Sequence, residues 1–184
     1  MSSSVVGSSA SDGIKTFSIS TTSITPRSQL RGGTGGAAEC VRFNHNGQVL
    51  VGAGTSGVIT LWHTNGTVLG ELSRKQDQGK TIRALSFSSG SRYLATGGDD
   101  AIVKVWDLKR REVIRTFRGH TKGVACVEFS KDADKYVASG DSSGNICLFN
   151  VLTGRLTTTF TSSPTSKSTS ISTSISTSIS TSTS

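Results

Sequence analysis

The stretch GGDDAIVKVWDLKRREVIRTFRGHTKGV, residues 97–124, decides the fold. An apolar run at 102–108 is followed by a basic turn at 109–111. A second apolar run at 113–117 is followed by Gly119-His120. Short apolar runs separated by polar or glycine-bearing turns are typical of β-strands joined by hairpins. The stretch therefore predicts two neighbouring strands, and the rest of the chain shows whether this pair is repeated.

Two columns of aromatic residues recur along the chain at nearly the same period. Neighbours in the first column are 44 and 42 residues apart, and neighbours in the second are 44 and 43 apart. The first column is Phe43, Phe87 and Phe129, and the second is Trp62, Trp106 and Phe149. Two independent columns at one period indicate an internal repeat, which is the sequence signature of a repeat architecture.

Each repeat unit divides into four short apolar segments. We predict strands at 38–44, 48–53, 57–63 and 67–72 in the first unit, at 82–88, 92–97, 101–107 and 112–117 in the second, and at 124–130, 135–140, 145–150 and 155–160 in the third. About 43 residues holding four antiparallel strands are typical of one blade of a β-propeller. The sequence therefore predicts an all-β fold with blades at about 37–73, 81–117 and 123–160.

A family resemblance rests on Gly119-His120, which opens one unit, and on Trp106-Asp107, which ends the third strand of another. With these residues the chain resembles the tryptophan–aspartate (WD) repeat family of β-propellers. The resemblance implies that a His, a Ser or Thr, an Asp and the Trp brace each blade by hydrogen bonds. The positions that match this pattern are Thr96, Asp100, Trp106, Asp107, Gly119, His120 and Ser139.

The bracing set departs from the family pattern in two of the units. In the second unit Gln78 stands where the family has His. In the third unit Ser143 stands for the Asp and Phe149 for the Trp. We therefore expect apolar packing to hold the blades together and the polar bracing to be incomplete.

The chain is predicted to begin halfway through a blade. SDGIKTFSI (11–19) resembles a third strand, and PRSQLRGG (26–33) resembles a fourth strand with the turn that follows it. The expected fold is thus a partial, unclosed propeller of about three and a half blades over 11–160. The Ser-rich segment 1–10 and the Ser/Thr-rich tail 161–184 are expected to be disordered, because too few apolar residues are present to form a core.

An unclosed propeller leaves blade faces without a neighbour. We expect Val137, Ile146 and Leu148 to be exposed on the third blade, and exposed apolar patches indicate partners or aggregation. Three outcomes are open: the chain is a fragment, it self-associates, or another chain completes the ring. We favour the first, a fragment of a longer WD-repeat protein.

A narrower resemblance covers about residues 11–160. The stretches ALSFSSGSRYLATGG (84–98), VKVWDLKRREVIRTFRGHT (103–121) and TLWHTNGTVLGEL (60–72) are similar to the proteins that attach the γ-tubulin ring complex to centrosomes and spindles, the neural-precursor developmentally down-regulated type. This resemblance implies a protein scaffold in microtubule organisation. The family's C-terminal helical region has no counterpart in this sequence.

Composition argues against several other functions. The chain has a net charge of +8 and three scattered cysteines, with no CxxC pair, so neither a disulfide framework nor a metal site is predicted. Cys126 and Cys147 lie in apolar runs and are expected to be buried. No signal peptide or membrane-spanning segment is visible, which predicts a cytoplasmic protein, and the resemblance adds the centrosome or spindle. We predict no catalytic residue and no cofactor, hence no enzyme.

The basic turn Lys109-Arg110-Arg111 is the candidate for docking a partner. A second basic group, at 118–122, follows the next strand, so the two groups are expected on opposite faces, about 20 Å apart. This separation argues against one nucleic-acid surface. The alternatives that stay open are an adaptor in another complex and a basic RNA-binding module.

Overall fold

The computed structural model describes the backbone of residues 15–19 and 24–29, and the chain over 34–73 and 75–161. The predicted disordered segment 1–10 lies outside the described residues, as does the predicted tail 161–184 after its first residue. The strands are β1 (Lys15–Ile19), β2 (Ile24–Gln29), β3 (Ala38–Phe43), β4 (Val49–Gly54), β5 (Ile59–His63), β6 (Val68–Leu72), β7 (Ile82–Phe87), β8 (Tyr93–Gly98), β9 (Ile102–Asp107), β10 (Glu112–Arg118), β11 (Val124–Phe129), β12 (Tyr136–Asp141), β13 (Ile146–Asn150) and β14 (Arg155–Phe160).

Three four-stranded antiparallel sheets form, each with its strands in chain order. The first blade is β3–β6, the second is β7–β10 and the third is β11–β14. The prediction of all-β, four-stranded antiparallel blades is confirmed, and every strand boundary within them lies within two residues of its predicted position. Strands β1 and β2 pair with each other in a separate two-stranded sheet.

The blades stack side by side through their first strands. Strand β7 packs against β3 on one side and β11 on the other. Each first strand carries a register shift against its neighbour at the same repeat position, around Glu39, Arg83 and Ala125. Such a bulge increases the local twist of a strand pair. The register shift therefore recurs in all three blades at the same position, as the regular strand pairing does.

Two cores fill the spaces between neighbouring blades. We call the side of a blade that packs on the following blade its trailing face, and the side that packs on the preceding blade its leading face. The trailing face of the second blade consists of Ala84, Tyr93, Ala95, Val103, Val105 and Phe117, and the leading face of the third consists of Val127, Phe129, Val137 and Phe149. The Phe117 and Phe149 rings stack across this interface with centroids 4.7 Å apart.

The leading face of the second blade packs on the first blade. It consists of Leu85, Phe87, Leu94 and Trp106, which meet Val51, Ile59 and Leu72 of the first blade. The opposite side of the first blade holds Leu50 and Trp62, which are fully buried. No helix in the described part of the chain is long and apolar enough to cross a membrane.

Glycines end two of the second strands for a steric reason. A Cβ atom at Gly54 would lie 1.7 Å from the carbonyl oxygen of Ala37, and one at Gly98 would lie 2.0 Å from that of Thr81. The third blade has Asp141 at the equivalent position. This difference matters for the bracing of that blade.

Candidate protein-interaction site

The second blade is braced by a buried lysine as well as by its tryptophan. Trp106 Nε1 donates a hydrogen bond of 3.1 Å to Thr96 Oγ1. Lys104 Nζ donates to Asp100 at 2.7 Å and to Asp77 at 2.9 Å. Because these two carboxylates come from different loops, the lysine ties the start of the blade to its second turn.

The side chain that replaces the family His was not predicted. Gln78 stands at the matching position, but it is exposed, whereas Asp77 is buried against Lys104. A signal for this pair exists in the sequence, since Lys104 is a charged residue between Val103 and Val105 in an otherwise apolar strand. Buried charges are normally paired, so Lys104 implies a carboxylate partner without identifying it.

The third blade contains a bracing carboxylate, although alignment of the repeat units predicts that it has none. His120 contacts Ser139 Oγ through Nε2 at 2.7 Å and Asp141 Oδ2 through Nδ1 at 3.0 Å. The expectation that Ser143 leaves this blade without an acid is therefore wrong. Ser143 instead donates its hydroxyl and its backbone N–H to Asp141 Oδ1. The carboxylate comes from two residues earlier in the chain, where the other blades have glycine.

Hydrogen bonding keeps Asp141 ionised. Burial opposes ionisation of this carboxyl, but donors from Ser143, His120 and Asn145 outweigh it and lower the pKa of Asp141 below its ordinary value of 3.8. An ionised carboxylate only accepts hydrogen bonds. His120 Nδ1 therefore donates to Asp141, and with a neutral imidazole the Ser139 hydroxyl donates to Nε2.

The Ser139–His120–Asp141 chain has the connectivity of a catalytic triad, but its environment is that of a structural brace. The His120 and Asp141 side chains are 1% and 0% exposed, and Ser139 is buried. A nucleophile needs access to its substrate and donors for the developing oxyanion. Buried on every side, this chain of hydrogen bonds supports the blade and leaves no room for a reacting group. Within the described residues no cluster of His, Cys, Asp and Glu has the arrangement of a metal site.

The basic turn is only partly free to meet a partner. Asp107 Oδ1 accepts hydrogen bonds from the backbone N–H groups of Lys109 and Arg110, and so fixes the turn. Arg111 has a positive φ of 58° and donates from Nη2 to the carbonyl of Leu69 on the first blade at 2.8 Å. The Arg111 guanidinium therefore bridges two blades, and docking of a partner by Lys109, Arg110 and Arg111 stays a prediction.

Arg115 makes a similar bridge on the other side of the second blade. Its Nε donates to the Val151 carbonyl at 2.9 Å and its Nη2 to the Leu152 carbonyl at 3.3 Å. Sequence reasoning did not single out this residue. Together Arg111 and Arg115 connect the second blade to both of its neighbours.

The trailing face of the third blade exposes apolar side chains in the described part of the chain. Ile146 is 48% exposed and Phe160 is 56% exposed, and Leu148 lies between them partly buried. Val137 was expected on this face, but it is fully buried. It pairs with Phe149, whereas Ala138 pairs with Leu148, and residues directly opposite each other share one face of a sheet.

Cys126 also lies on this face and corrects a second expectation. The thiol is exposed, while Cys147 is buried as predicted. Cys126 pairs with Gly140, which in turn pairs with Ile146, so the three residues form one row across the trailing face. The apolar sequence around Cys126 thus belongs to an exposed face and not to the core.

Comparison with known proteins agrees with this architecture. The family model described as the Vps8 β-propeller matches residues 34–177, which is more than half of the chain. The chain belongs to this β-propeller family. The crystal structure of the RRP9 WD40 repeats superposes on the propeller with a TM-score of 0.62 at 20% sequence identity, covering 67% of this chain and 38% of that one. A WD40 propeller is typically a non-enzymatic scaffold.

Two curated relatives show how widely this propeller type is used. The propeller is 34% identical to Protein NEDD1 of Homo sapiens over 119 residues, covering 63% of this chain and 17% of the relative. It is 30% identical to Elongator complex protein 2 of Dictyostelium discoideum over 129 residues, covering 60% of this chain and 14% of the relative. The propeller thus spans less than a fifth of the length of these relatives.

Proposed function

We propose that this protein is a non-enzymatic interaction scaffold that acts in microtubule organisation at the centrosome or spindle. The single observation that carries this proposal is the 34% identity to Protein NEDD1 over 119 residues, which is 63% of this chain. The narrower family resemblance seen in the sequence points the same way. The burial of the Ser139–His120–Asp141 chain supports the non-enzymatic part, since the triad-like group has no access to substrate.

The surfaces available to this scaffold are the trailing face of the third blade and the exposed ends of the basic turn. Hydrogen bonds to Asp107 fix the backbone of Lys109 and Arg110, but their side chains are exposed. The Arg110 side chain is 66% exposed and forms one long ion pair with Glu112. A positive turn of this kind favours acidic protein surfaces. It would steer association, while the apolar face would supply most of the binding free energy.

A second candidate function is that of an adaptor in a different assembly. The 30% identity to Elongator complex protein 2 over 129 residues favours it, because that match covers nearly as much of this chain. A fold of this type hosts many functions, so only association data distinguish the two candidates.

The experiment is affinity purification of the tagged full chain from mitotic and interphase cells, followed by sedimentation on a sucrose gradient. We expect the protein to co-sediment with γ-tubulin in the mitotic sample. Lys109→Glu with Arg110→Glu should weaken this association and make its salt dependence shallower. Co-sedimentation with Elongator subunits in both samples, and with no γ-tubulin in either, would favour the adaptor function instead.

A further inference from the structure

A small pocket lies beside the buried charges of the second blade. Its volume is about 10 Å³, which is room for about one water molecule. The lining includes Asp77, Thr96, Lys104 and Trp106 of the second blade's brace, together with Gly57 of the first blade. The pocket therefore lies where the polar brace of one blade meets a turn of the blade before it.

Asp77 brings an unused hydrogen-bond acceptor to this pocket. Its Oδ1 accepts from Lys104 Nζ at 2.9 Å. Its Oδ2 is buried and has no hydrogen-bond partner in the described part of the chain, and the whole side chain is only 10% exposed. A buried carboxylate oxygen without a partner destabilises a fold, so a donor placed in the pocket would stabilise this one.

Two side chains at the same pocket have hydrogen-bond donors to spare. Lys104 Nζ carries three N–H groups, and its described contacts, with Asp77 and Asp100, use two of them. The Thr96 hydroxyl accepts from Trp106 Nε1 at 3.1 Å, and none of the described contacts uses the hydroxyl hydrogen. A single molecule that both donates and accepts would therefore satisfy Asp77, Lys104 and Thr96 together.

The loop that carries Asp77 is held against the first blade. Gly79 N–H donates to the Ser56 carbonyl at 2.8 Å. A Cβ atom at Gly57 would lie 2.1 Å from the Asp77 carbonyl oxygen, so the loop backbone lies directly on this turn. Because the loop is fixed in this way, and Oδ1 is bonded to Lys104, the Asp77 carboxylate is restrained from turning toward another partner.

The third blade shows which group usually makes this connection. There His120 contacts Ser139, the counterpart of Thr96, at 2.7 Å. In the second blade Gln78 stands at the position that matches His120, but it is exposed and does not line the pocket. In the described chain no imidazole therefore links this loop to the second strand of its blade.

We propose that the pocket binds one ordered water molecule, which takes the place of the histidine in the brace of the second blade. The water donates to Asp77 Oδ2 and accepts from Lys104 Nζ and the Thr96 hydroxyl. Three hydrogen bonds are the usual number for a buried water. A metal cation fits the site less well, because the Lys104 ammonium already lies between the two carboxylates and would repel a second positive charge.

High-resolution crystal structures of the full chain, grown in rubidium chloride, test this assignment. We expect density for one light atom within about 3 Å of Asp77 Oδ2, Lys104 Nζ and Thr96 Oγ1, with no anomalous signal at the rubidium edge. An anomalous peak at this position would overturn the proposal in favour of a monovalent cation. Lys80 also lines the pocket, and its ammonium on Asp77 Oδ2 in place of the water would overturn the proposal as well.

Two substitutions of Asp77 form a matched pair for the same measurement. Asp77→Asn keeps the size of the side chain, and the water can turn to accept from the amide and donate to the Thr96 oxygen, so the density should remain. Asp77→Glu adds one methylene and moves the carboxylate into the pocket, so the density should disappear. Loss of the density in Asp77→Asn, or its persistence in Asp77→Glu, would contradict the proposal.

The unmodified chain decides the outcome if either variant fails to fold, since an Asp77 Oδ2 without a bound atom in its density would also show the proposal to be wrong. None of these measurements depends on γ-tubulin. An absence of co-sedimentation with γ-tubulin would therefore refute the centrosomal function and leave the water site intact.

Discussion

Phe149 replaces a tryptophan and changes how its blade is held. Trp106, its counterpart in the second blade, donates a hydrogen bond to Thr96, which a phenylalanine cannot do. In the third blade Ser139, the counterpart of Thr96, contacts His120 instead. The ring of Phe149 stacks on Phe117 and approaches His120 edge-on. The third blade therefore lacks the hydrogen bond from the tryptophan, but it has the Ser139–His120 hydrogen bond and the stacking of Phe149 on Phe117 instead.

Truncation of Phe149 should lower the free energy of unfolding far more than truncation of Phe160. Phe149→Ala leaves a cavity between two blades and should lower the free energy of unfolding by about 3–5 kcal/mol. Phe160→Ala removes a ring that is 56% exposed, and should change stability by only about 0.5 kcal/mol. Urea denaturation of both variants measures the difference. Equal losses would contradict the placement of these two rings on opposite faces.

Asp141 should make the stability of the protein sensitive to acid. Since its pKa is lowered in the folded state, its contribution is complete above the unfolded value near 3.8 and is lost as the pH falls below that value. Asp141→Asn should lower Tm at pH 7, and the Tm difference from the unmodified chain should shrink below pH 4. Thermal melts between pH 3 and pH 7 test this expectation. A Tm difference that stays constant over this range would show that the carboxylate charge contributes nothing.

At the scale of secondary-structure elements, loops and strands are joined by a few charged side chains. Lys104 on β9 reaches Asp77, which ends a short 3-10 helix (Lys75–Asp77) before β7, and Asp100 in the turn before β9. All three side chains are about nine-tenths buried. Asp77 Oδ2 has no hydrogen-bond partner in the described part of the chain. The group therefore depends on the lysine charge to keep two carboxylates in a buried position.

Removal of that lysine should be more damaging than removal of the whole group. Lys104→Met leaves two buried carboxylates without a counter-charge and should cost about 3–5 kcal/mol of unfolding free energy. The triple variant Lys104→Met, Asp77→Asn and Asp100→Asn should recover most of this loss. Guanidinium denaturation of both variants provides the comparison. A triple variant no more stable than Lys104→Met would show that the charges are not the cause.

Arg111 has an unfavourable backbone conformation, with a positive φ, and makes a favourable hydrogen bond to Leu69 of the first blade. Arg111→Ala keeps the positive φ and loses the bond to Leu69, and we expect a loss of about 1 kcal/mol. Arg111→Gly also loses the bond but relieves the backbone, so it should be less destabilising than Arg111→Ala by about 0.5–1 kcal/mol. Arg110→Ala is the neighbouring control and should be neutral. Should Arg111→Gly prove the less stable variant, the backbone strain at this position would be refuted.

The whole molecule is a row of sheets in which each blade is stabilised by its neighbours. The second blade is covered on both faces, and its two cores involve all three blades. In repeat architectures the stability comes from such nearest-neighbour interfaces. The third blade has one such interface in the described chain, and its trailing face is exposed. Stability should therefore decrease toward this end of the row.

The three thiols should report this asymmetry. Cys126 should react first with Ellman's reagent because it is exposed. Cys40 should be slow, since burial raises its pKa to about 12 against the opposing charge of Arg42, and the thiolate is the reactive form. Cys147 is buried and should also be slow. Stopped-flow absorbance at pH 7.5 resolves the phases. Fast reaction of Cys147 would show that the third blade opens readily.

The repeat itself is determined by the sequence. The spacing of the columns Phe43–Phe87–Phe129 and Trp62–Trp106–Phe149 and the polar turns between apolar runs predicted all twelve blade strands within two residues. These signals are local, because a strand and its turn are encoded by neighbouring residues. The faces were harder to predict, as the misplacement of Val137 shows, since they depend on which residues pair across strands.

Tertiary structure alone decided the polar and charged contacts. Asp141 meets His120 across 21 residues, Asp77 meets Lys104 across 27 and Arg111 reaches Leu69 across 42. Alignment of the repeat units pointed to positions 78 and 143 for the polar contacts. The carboxylates that make these contacts are Asp77 and Asp141, which lie one and two residues earlier in the chain. Chain periodicity specifies which segments become strands, because side chains alternate between faces. The packing of one blade on the next specifies which polar groups meet, because these groups come from loops whose path only the assembled blades define.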